Sequence, residues 1–270
     1  MAIAQVNGIN LYYEIRGQGE PLFLIQGFAG GHRGWFFQKR AFAKKYMVIA
    51  ADSRGVGSAG NSEGDFTLRT LADDIVGLMD HLDIEKAHVL GMSMGGMVAQ
   101  EFAINYPQRL LKLILASTYT NGEEAKNISA GMIRALGVGD NPSEKDVENI
   151  DVVSFVSGMT GLSYNRRLYK ALLIPSTKIY ARFRGFGRLM NIFRASSTCD
   201  TVDRLHLIKA PTLIICGSDD KVVPPIASDI LASKVPNSKL VKLENGSHAI
   251  HMEMHRRFNR EVLSFLKQSD

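Results

Sequence analysis

Ala87-His88-Val89-Leu90-Gly91-Met92-Ser93-Met94-Gly95-Gly96-Met97-Val98-Ala99-Gln100 reads as a strand, a sharp turn and a helix. The apolar, β-prone run closes on Gly-x-Ser-x-Gly. Met97, Val98, Phe102 and Ile104 then supply apolar positions for a helix that Pro107 limits. Serine is a weak nucleophile unless its hydroxyl faces a substrate and a base can take its proton. A strained turn between strand and helix provides that exposure, and Gly91, Gly95 and Gly96 are the small neighbours such a crowded turn needs. The helix starting here would aim unpaired N–H groups, that of Met94 among them, at the reacting carbon.

Upstream, residues 2–6 and 9–16 read as two strands joined at Asn7-Gly8, a strong hairpin signal. Residues 21–26 form a short apolar run of the kind buried on both sheet faces, ending in the loop Gly27-Phe28-Ala29-Gly30-Gly31. Residues 35–45 read as a helix and 46–52 as another buried strand. Residues 67–82 make an amphipathic helix with Leu71, Ile75, Leu78 and Leu82 on one face. Downstream, strands are expected at 111–117, 211–217 and 239–244, with helices at 226–235 and about 252–267. This alternation implies an α/β fold, a mostly parallel twisted sheet with helices on both faces. Between 119 and 207 the rhythm stops, and helix-like segments are cut by Gly137, Gly139, Pro142, Gly158, Gly161, Pro175, Gly185 and Gly187. The expected organisation is a core of residues 1–118 and 208–270 with a helical cap, or lid, inserted at 119–207.

The 270 residues are 45% hydrophobic and 22% charged, which suits a globular chain with a sizeable core and not a disordered one. Two cysteines, Cys199 and Cys216, are too few for a disulfide framework, and no Cys/His spacing matches a zinc site. No apolar run approaches membrane-spanning length, and Met-Ala-Ile-Ala-Gln lacks the charged-then-apolar layout of a signal peptide. The expectation is a cytoplasmic protein without membrane or nucleic-acid partners.

In an open parallel sheet, catalytic groups gather at the carboxyl ends of the strands, where the loops face one crevice. Gly217-Ser218-Asp219-Asp220-Lys221-Val222-Val223-Pro224 follows one late strand, and Gly246-Ser247-His248 follows the next. A histidine so placed can take the serine proton while a carboxylate, Asp219 or Asp220, holds its tautomer. The chain order is Ser, Asp, His.

Together with Gln26-Gly27-Phe28 and Asp52-x-Arg54-Gly55-x-Gly57, these motifs resemble the α/β-hydrolase superfamily. The group in question holds esterases, enol-lactonases, cofactor-free haloperoxidases and C–C bond hydrolases. The likeness covers nearly all of the chain outside 120–207. It implies Ser93 as nucleophile, Asp220, three residues after its glycine, as orienting acid, and His248 as general base. It also implies the N–H groups of Phe28 and Met94 as oxyanion hole, with no cofactor or metal. Gln26 departs from the pattern, standing where the family usually carries histidine; its amide can still hydrogen-bond the loop backbone. The implied activity is hydrolysis of small carboxylic esters through an acyl-enzyme. The alternatives are an enol-lactonase of aromatic catabolism or a hydrolase of anionic or acyl-CoA esters. A C–C bond hydrolase, a perhydrolase and a non-catalytic ligand receptor stand behind these.

Other residues carry competing readings. Trp35 is a candidate pocket-lining residue, with core packing as the plainer alternative. His251 and His255, four apart on a helix, are expected to face solvent rather than a metal. Asp73, Asp74 and Asp80 are expected on a solvated helix face, and Asp52 and Arg54 as loop buttresses. Arg166, Arg167, Lys170, Lys178, Arg182, Arg184, Arg188 and Arg194 are eight cations with no acid among them, more than the formal net charge of +5 for the whole chain. Arg182, Arg184 and Arg188 are candidates to bind an anionic part of a substrate, a carboxylate or the phosphates of an acyl-CoA, against the plainer reading of a solvated basic face.

Overall fold

The computed structural model of the chain describes residues 2–28, 30–56, 66–120, 152–184, 191, 195 and 200–268, with side chains at 157–175 in the segment 152–184. The described strands are β1 (Ala2–Val6), β2 (Ile9–Arg16), β3 (Pro21–Ile25), β4 (Met47–Ala51), β5 (Ala87–Met92), β6 (Leu110–Ala116), β7 (Thr212–Gly217) and β8 (Ser238–Leu243). They form one sheet in the order β1-β2-β4-β3-β5-β6-β7-β8. Strand β2 runs antiparallel to β1 and β4, and every pairing from β4 to β8 is parallel. The described helices are α1 (Phe36–Phe42), α2 (Leu68–His81), α3 (Met94–Asn105), α4 (Val152–Ser163), α5 (Arg167–Arg184), α6 (Ile226–Lys234), α7 (Ile250–Glu253) and α8 (His255–Lys267).

Both faces of the sheet are covered, as parallel pairing requires. The side chains of β5 alternate between them. Ala87 and Val89 join a core with Leu71 of α2 and Phe102 of α3, while Leu90 and Met92 join one with Phe42 of α1 and Phe258 of α8. All six residues of β5 are buried, so its carboxyl end is a fixed point in mid-sheet.

Helix α2 starts where the Thr67 hydroxyl accepts the Thr70 N–H at 3.1 Å. The helix expected at 35–45 is displaced. A 3-10 turn, His32–Trp35, comes first, closed by Gly34 N–H donating to Gly31 O at 3.0 Å, and α1 ends at Phe42. The last helix is interrupted at Met254, whose backbone turns to φ −119°, ψ 31°.

The solvated face expected for α2 needs one correction. Asp73 and Asp80 stay accessible, but Asp74 is buried, because α2 packs on β1 and presents it inward. There it accepts two bonds from the Arg54 guanidinium, at 2.9 and 2.7 Å, and one from the Asn7 amide at 3.2 Å, so the buried charge is paired.

Two helices, α4 and α5, lie in the segment between β6 and β7. Near its ends, the hydroxyls of Thr120 and Thr201 lie 2.7 Å apart, and Thr201 donates to the side-chain Oε1 of Gln100 on α3 at 2.6 Å. Both ends of this segment are thereby tied to α3, the helix that follows Ser93. Arg166 and Arg167 are exposed, whereas the side chains of Lys178, Arg182 and Arg184, and residues Arg188 and Arg194, lie outside what is described. No described helix is long and apolar enough to cross a membrane.

Candidate active site

Ser93 stands between β5 and α3 with φ 53° and ψ −123°, a conformation costly for any residue with a side chain. Several bonds hold it there. Its N–H donates to Ala116 O at 2.9 Å, and its carbonyl accepts the Thr118 hydroxyl at 2.6 Å and the Gly96 N–H at 2.8 Å. A Cβ on Gly95 would lie 2.3 Å from Ile25 O and 2.6 Å from Gln26 O, so glycine lets α3 begin against the end of β3. Ser93 is partly exposed between buried Met92 and Met94. Thr118 has no motif to announce it; its role emerges only because β6 runs beside β5.

Asp220 and His248 are brought together from the loops after β7 and β8. His248 Nδ1 lies 2.8 Å from Asp220 Oδ2, and both residues are buried. The carboxylate can only accept, which assigns the proton to Nδ1 and leaves Nε2 as the basic nitrogen. Asp220 Oδ1 is occupied by the N–H groups of Val222 and Val223, at 2.9 and 2.8 Å, which fixes the carboxylate plane. Asp219 is exposed and contacts Ser218 instead, so geometry singles out Asp220. The two loops abut because a Cβ on Gly217 would lie 2.2 Å from Gly246 O.

The loop after β3 is shaped by Gln26. Its carbonyl accepts the Gly27 N–H at 2.9 Å, and its amide nitrogen stands 3.5 Å from His251 Nε2. Glutamine thus bonds the loop backbone, as its chemistry allows. Phe28 is partly exposed on this loop, and Met94 heads α3. The loop is braced further on, where Asp52 Oδ1 accepts from the N–H of His32 at 2.8 Å and lies 2.7 Å from its Nδ1.

Two expectations are corrected here. His251 is buried, not solvent-facing, since α7 is a four-residue turn wedged against α1 and α8. Burial, reinforced by the neighbouring His248, pushes its pKa down to about 3 and keeps it neutral. Trp35 does not line a pocket; it is fully buried, 0% exposed, and its ring stacks edge-on against His251 at 5.3 Å. The pair fills the space between the loop after β3 and α7.

Strands lie about 4.8 Å apart, so β8 is roughly 19 Å from β3, on the far side of β5. For His251 to reach Gln26, the segment after β8 must return past the strands between. No hydrogen bond joins the Ser93 hydroxyl to another described residue. Among the described residues no three His, Cys, Asp or Glu side chains gather as a metal-binding set.

A strained serine at the end of a central parallel strand, with a buried Asp–His pair from the last two strand ends, defines a class of protein. The chain belongs to the alpha/beta hydrolase fold family, whose sequence model matches residues 20–141 and 160–254. It is 26% identical to a protein of Azorhizobium caulinodans named "Putative carbamate hydrolase RutD", across 100% of both chains. Among solved structures, a hydrolase from Pseudomonas aeruginosa PA01 is 26% identical with a TM-score of 0.84, covering 99% of this chain and 98% of the other. A malate-bound thermophilic esterase from Thermogutta terrifontis is also 26% identical, with a TM-score of 0.80 and the same two coverages.

Proposed function

We propose that this protein is a serine hydrolase of small carboxylic esters that works through an acyl-enzyme. The single observation that supports the reading is that strained Ser93 and the buried Asp220–His248 couple all follow the carboxyl ends of strands in one parallel sheet. Ser93 Oγ attacks the ester carbonyl carbon while His248 Nε2 takes its proton, and Asp220 stabilises the imidazolium through Nδ1–H. The N–H groups of Phe28 and Met94 hold the oxyanion. Collapse of the tetrahedral intermediate breaks the bond to the alcohol, which leaves with the proton from His248. Water, deprotonated by the same nitrogen, then attacks the acyl carbon and releases the acid and free Ser93.

The insertion at 119–207 acts as the cap over the acyl side of the site. The substrate is a small molecule, and no step needs a cofactor. Support for the ester comes from the name of the Thermogutta structure, and the name of the Azorhizobium relative favours a second reading, a carbamate. The same serine would then form a carbamoyl-enzyme.

A panel of p-nitrophenyl esters from acetate to palmitate, with a carbamate, an enol-lactone and an acyl-CoA alongside, separates these. Rapid turnover of short esters, with kcat/KM falling as the chain grows, is expected. Turnover of the carbamate alone would replace the ester reading with the second one.

A further inference from the structure

Glu253 ends α7 with its carboxylate buried, 6% exposed, and its donors come from two separate segments. Oε1 accepts the Arg166 N–H at 2.7 Å, and Oε2 accepts the Asn165 N–H at 3.1 Å together with the hydroxyl of Ser247. Asn165 and Arg166 form the turn between α4 and α5, inside the insertion. Ser247 immediately precedes His248. Two more bonds run alongside, from Ala249 N–H to Ser163 O at 2.9 Å and from the Tyr169 hydroxyl to Met252 O at 3.4 Å.

A carboxylate taken out of water is costly unless donors replace the lost hydration, and an apolar side chain could fill this space at no such cost. What the carboxylate contributes beyond packing is geometry, since it fixes a turn of the insertion and the residue before His248 to one point. The His248 loop is therefore held through its imidazole at Asp220, through Ser247 at Glu253 and through the Ala249 N–H at Ser163 O. The last two holds are shared with the insertion.

We infer that Glu253 is a positioning residue that couples the α4–α5 turn, through Asn165, Arg166 and Ser247, to the placement of His248, so that a displacement of that turn displaces the base. The kinetic half of this inference rests on the ester-hydrolase reading above; the coupling itself does not.

The test compares Glu253→Gln and the milder Ser247→Ala by hydrogen exchange without substrate and by kcat and KM on p-nitrophenyl acetate and butyrate. In Glu253→Gln an amide faces donors where a carboxylate accepted them. Exchange should quicken about tenfold at both the 165–166 turn and the 247–249 segment, with kcat down by a similar factor. Ser247→Ala removes one hydroxyl next to His248, yet exchange at 165–166 should still quicken about threefold. The pH midpoint of kcat/KM should hold in both variants, because Asp220 still faces His248. Wild-type exchange at 165–166 in Ser247→Ala, or unchanged kcat in a folded Glu253→Gln, would overturn the coupling. If the native protein turns over no ester, the ester reading fails, and the exchange comparison alone then decides the coupling.

Discussion

Two aspartate–histidine pairs flank β5 at the carboxyl edge of the sheet, each two strands out, Asp52 after β4 and Asp220 after β7. Their contacts are nearly equal, 2.7 Å for Asp52–His32 and 2.8 Å for Asp220–His248, and all four residues are buried. The attachments differ. One oxygen of Asp52 takes both the backbone N–H and the ring nitrogen of a single residue, and the Tyr12 ring lies over that imidazole at 4.8 Å. Asp220 gives one oxygen to its own loop and the other to a histidine from a different loop. The first arrangement pins a loop; the second orients a ring across loops, as a general base needs. A buried Asp–His pair is not by itself a sign of catalysis, and the way its oxygens are shared decides its part.

The contrast is most sharply tested by removing each carboxylate charge. Asp220→Asn should lower kcat by about 10⁴ with little change in KM or Tm, because the wrong imidazole tautomer is then favoured. Asp52→Asn should cost only about thirtyfold in kcat/KM and should lower Tm by several degrees, since it loosens the loop that carries Phe28. Steady-state kinetics beside thermal melts check both. Equal kinetic losses without a change in Tm would erase the distinction.

Gln26 belongs to the bracing side of the comparison. Gln26→Ala leaves the Gly27 N–H without its acceptor and should cost about tenfold in kcat, with the pH profile unmoved. A shifted profile would move Gln26 to the side of the base.

The smallest effect concerns His251, three residues beyond the proposed base. Its pKa is about 3 in the fold against an ordinary 6.5, so between those values the unfolded chain binds the additional proton. Stability is therefore lost as pH falls from 6.5 toward 3, by at most about 1.4 kcal/mol per unit, and the group has no effect above that window. Urea melts at pH 7 and pH 5 should show a smaller loss for His251→Gln than for the native chain. Equal losses would mean that His251 is not held neutral.

The elbow was legible because its signal is local: an apolar strand, glycines at the turn and a helix stopped by Pro107. The hairpin at Asn7-Gly8 and the parallel strands are likewise written in short-range periodicity. What could not be read depends on chain segments far apart. Thr118 braces Ser93 from just past the end of the next strand, 25 residues away, and Glu253 meets Asn165 across 88. Helical spacing placed His251 and Asp74 outward, but a four-residue helix has no free face, and Arg54 draws Asp74 inward. Trp35 left two readings open for a related reason: an aromatic beside a glycine loop gives no hint of whether a helix covers it, and here core packing holds.

The central claim is that Ser93 carries the acyl group between two half-reactions. Rapid quenching of the protein with p-nitrophenyl acetate, followed by peptide mass spectrometry, tests it directly. The account predicts a burst of nitrophenol matched by an acetyl group on Ser93, and neither burst nor adduct in Ser93→Ala. Full turnover in Ser93→Ala, or an adduct confined to another residue, would contradict it.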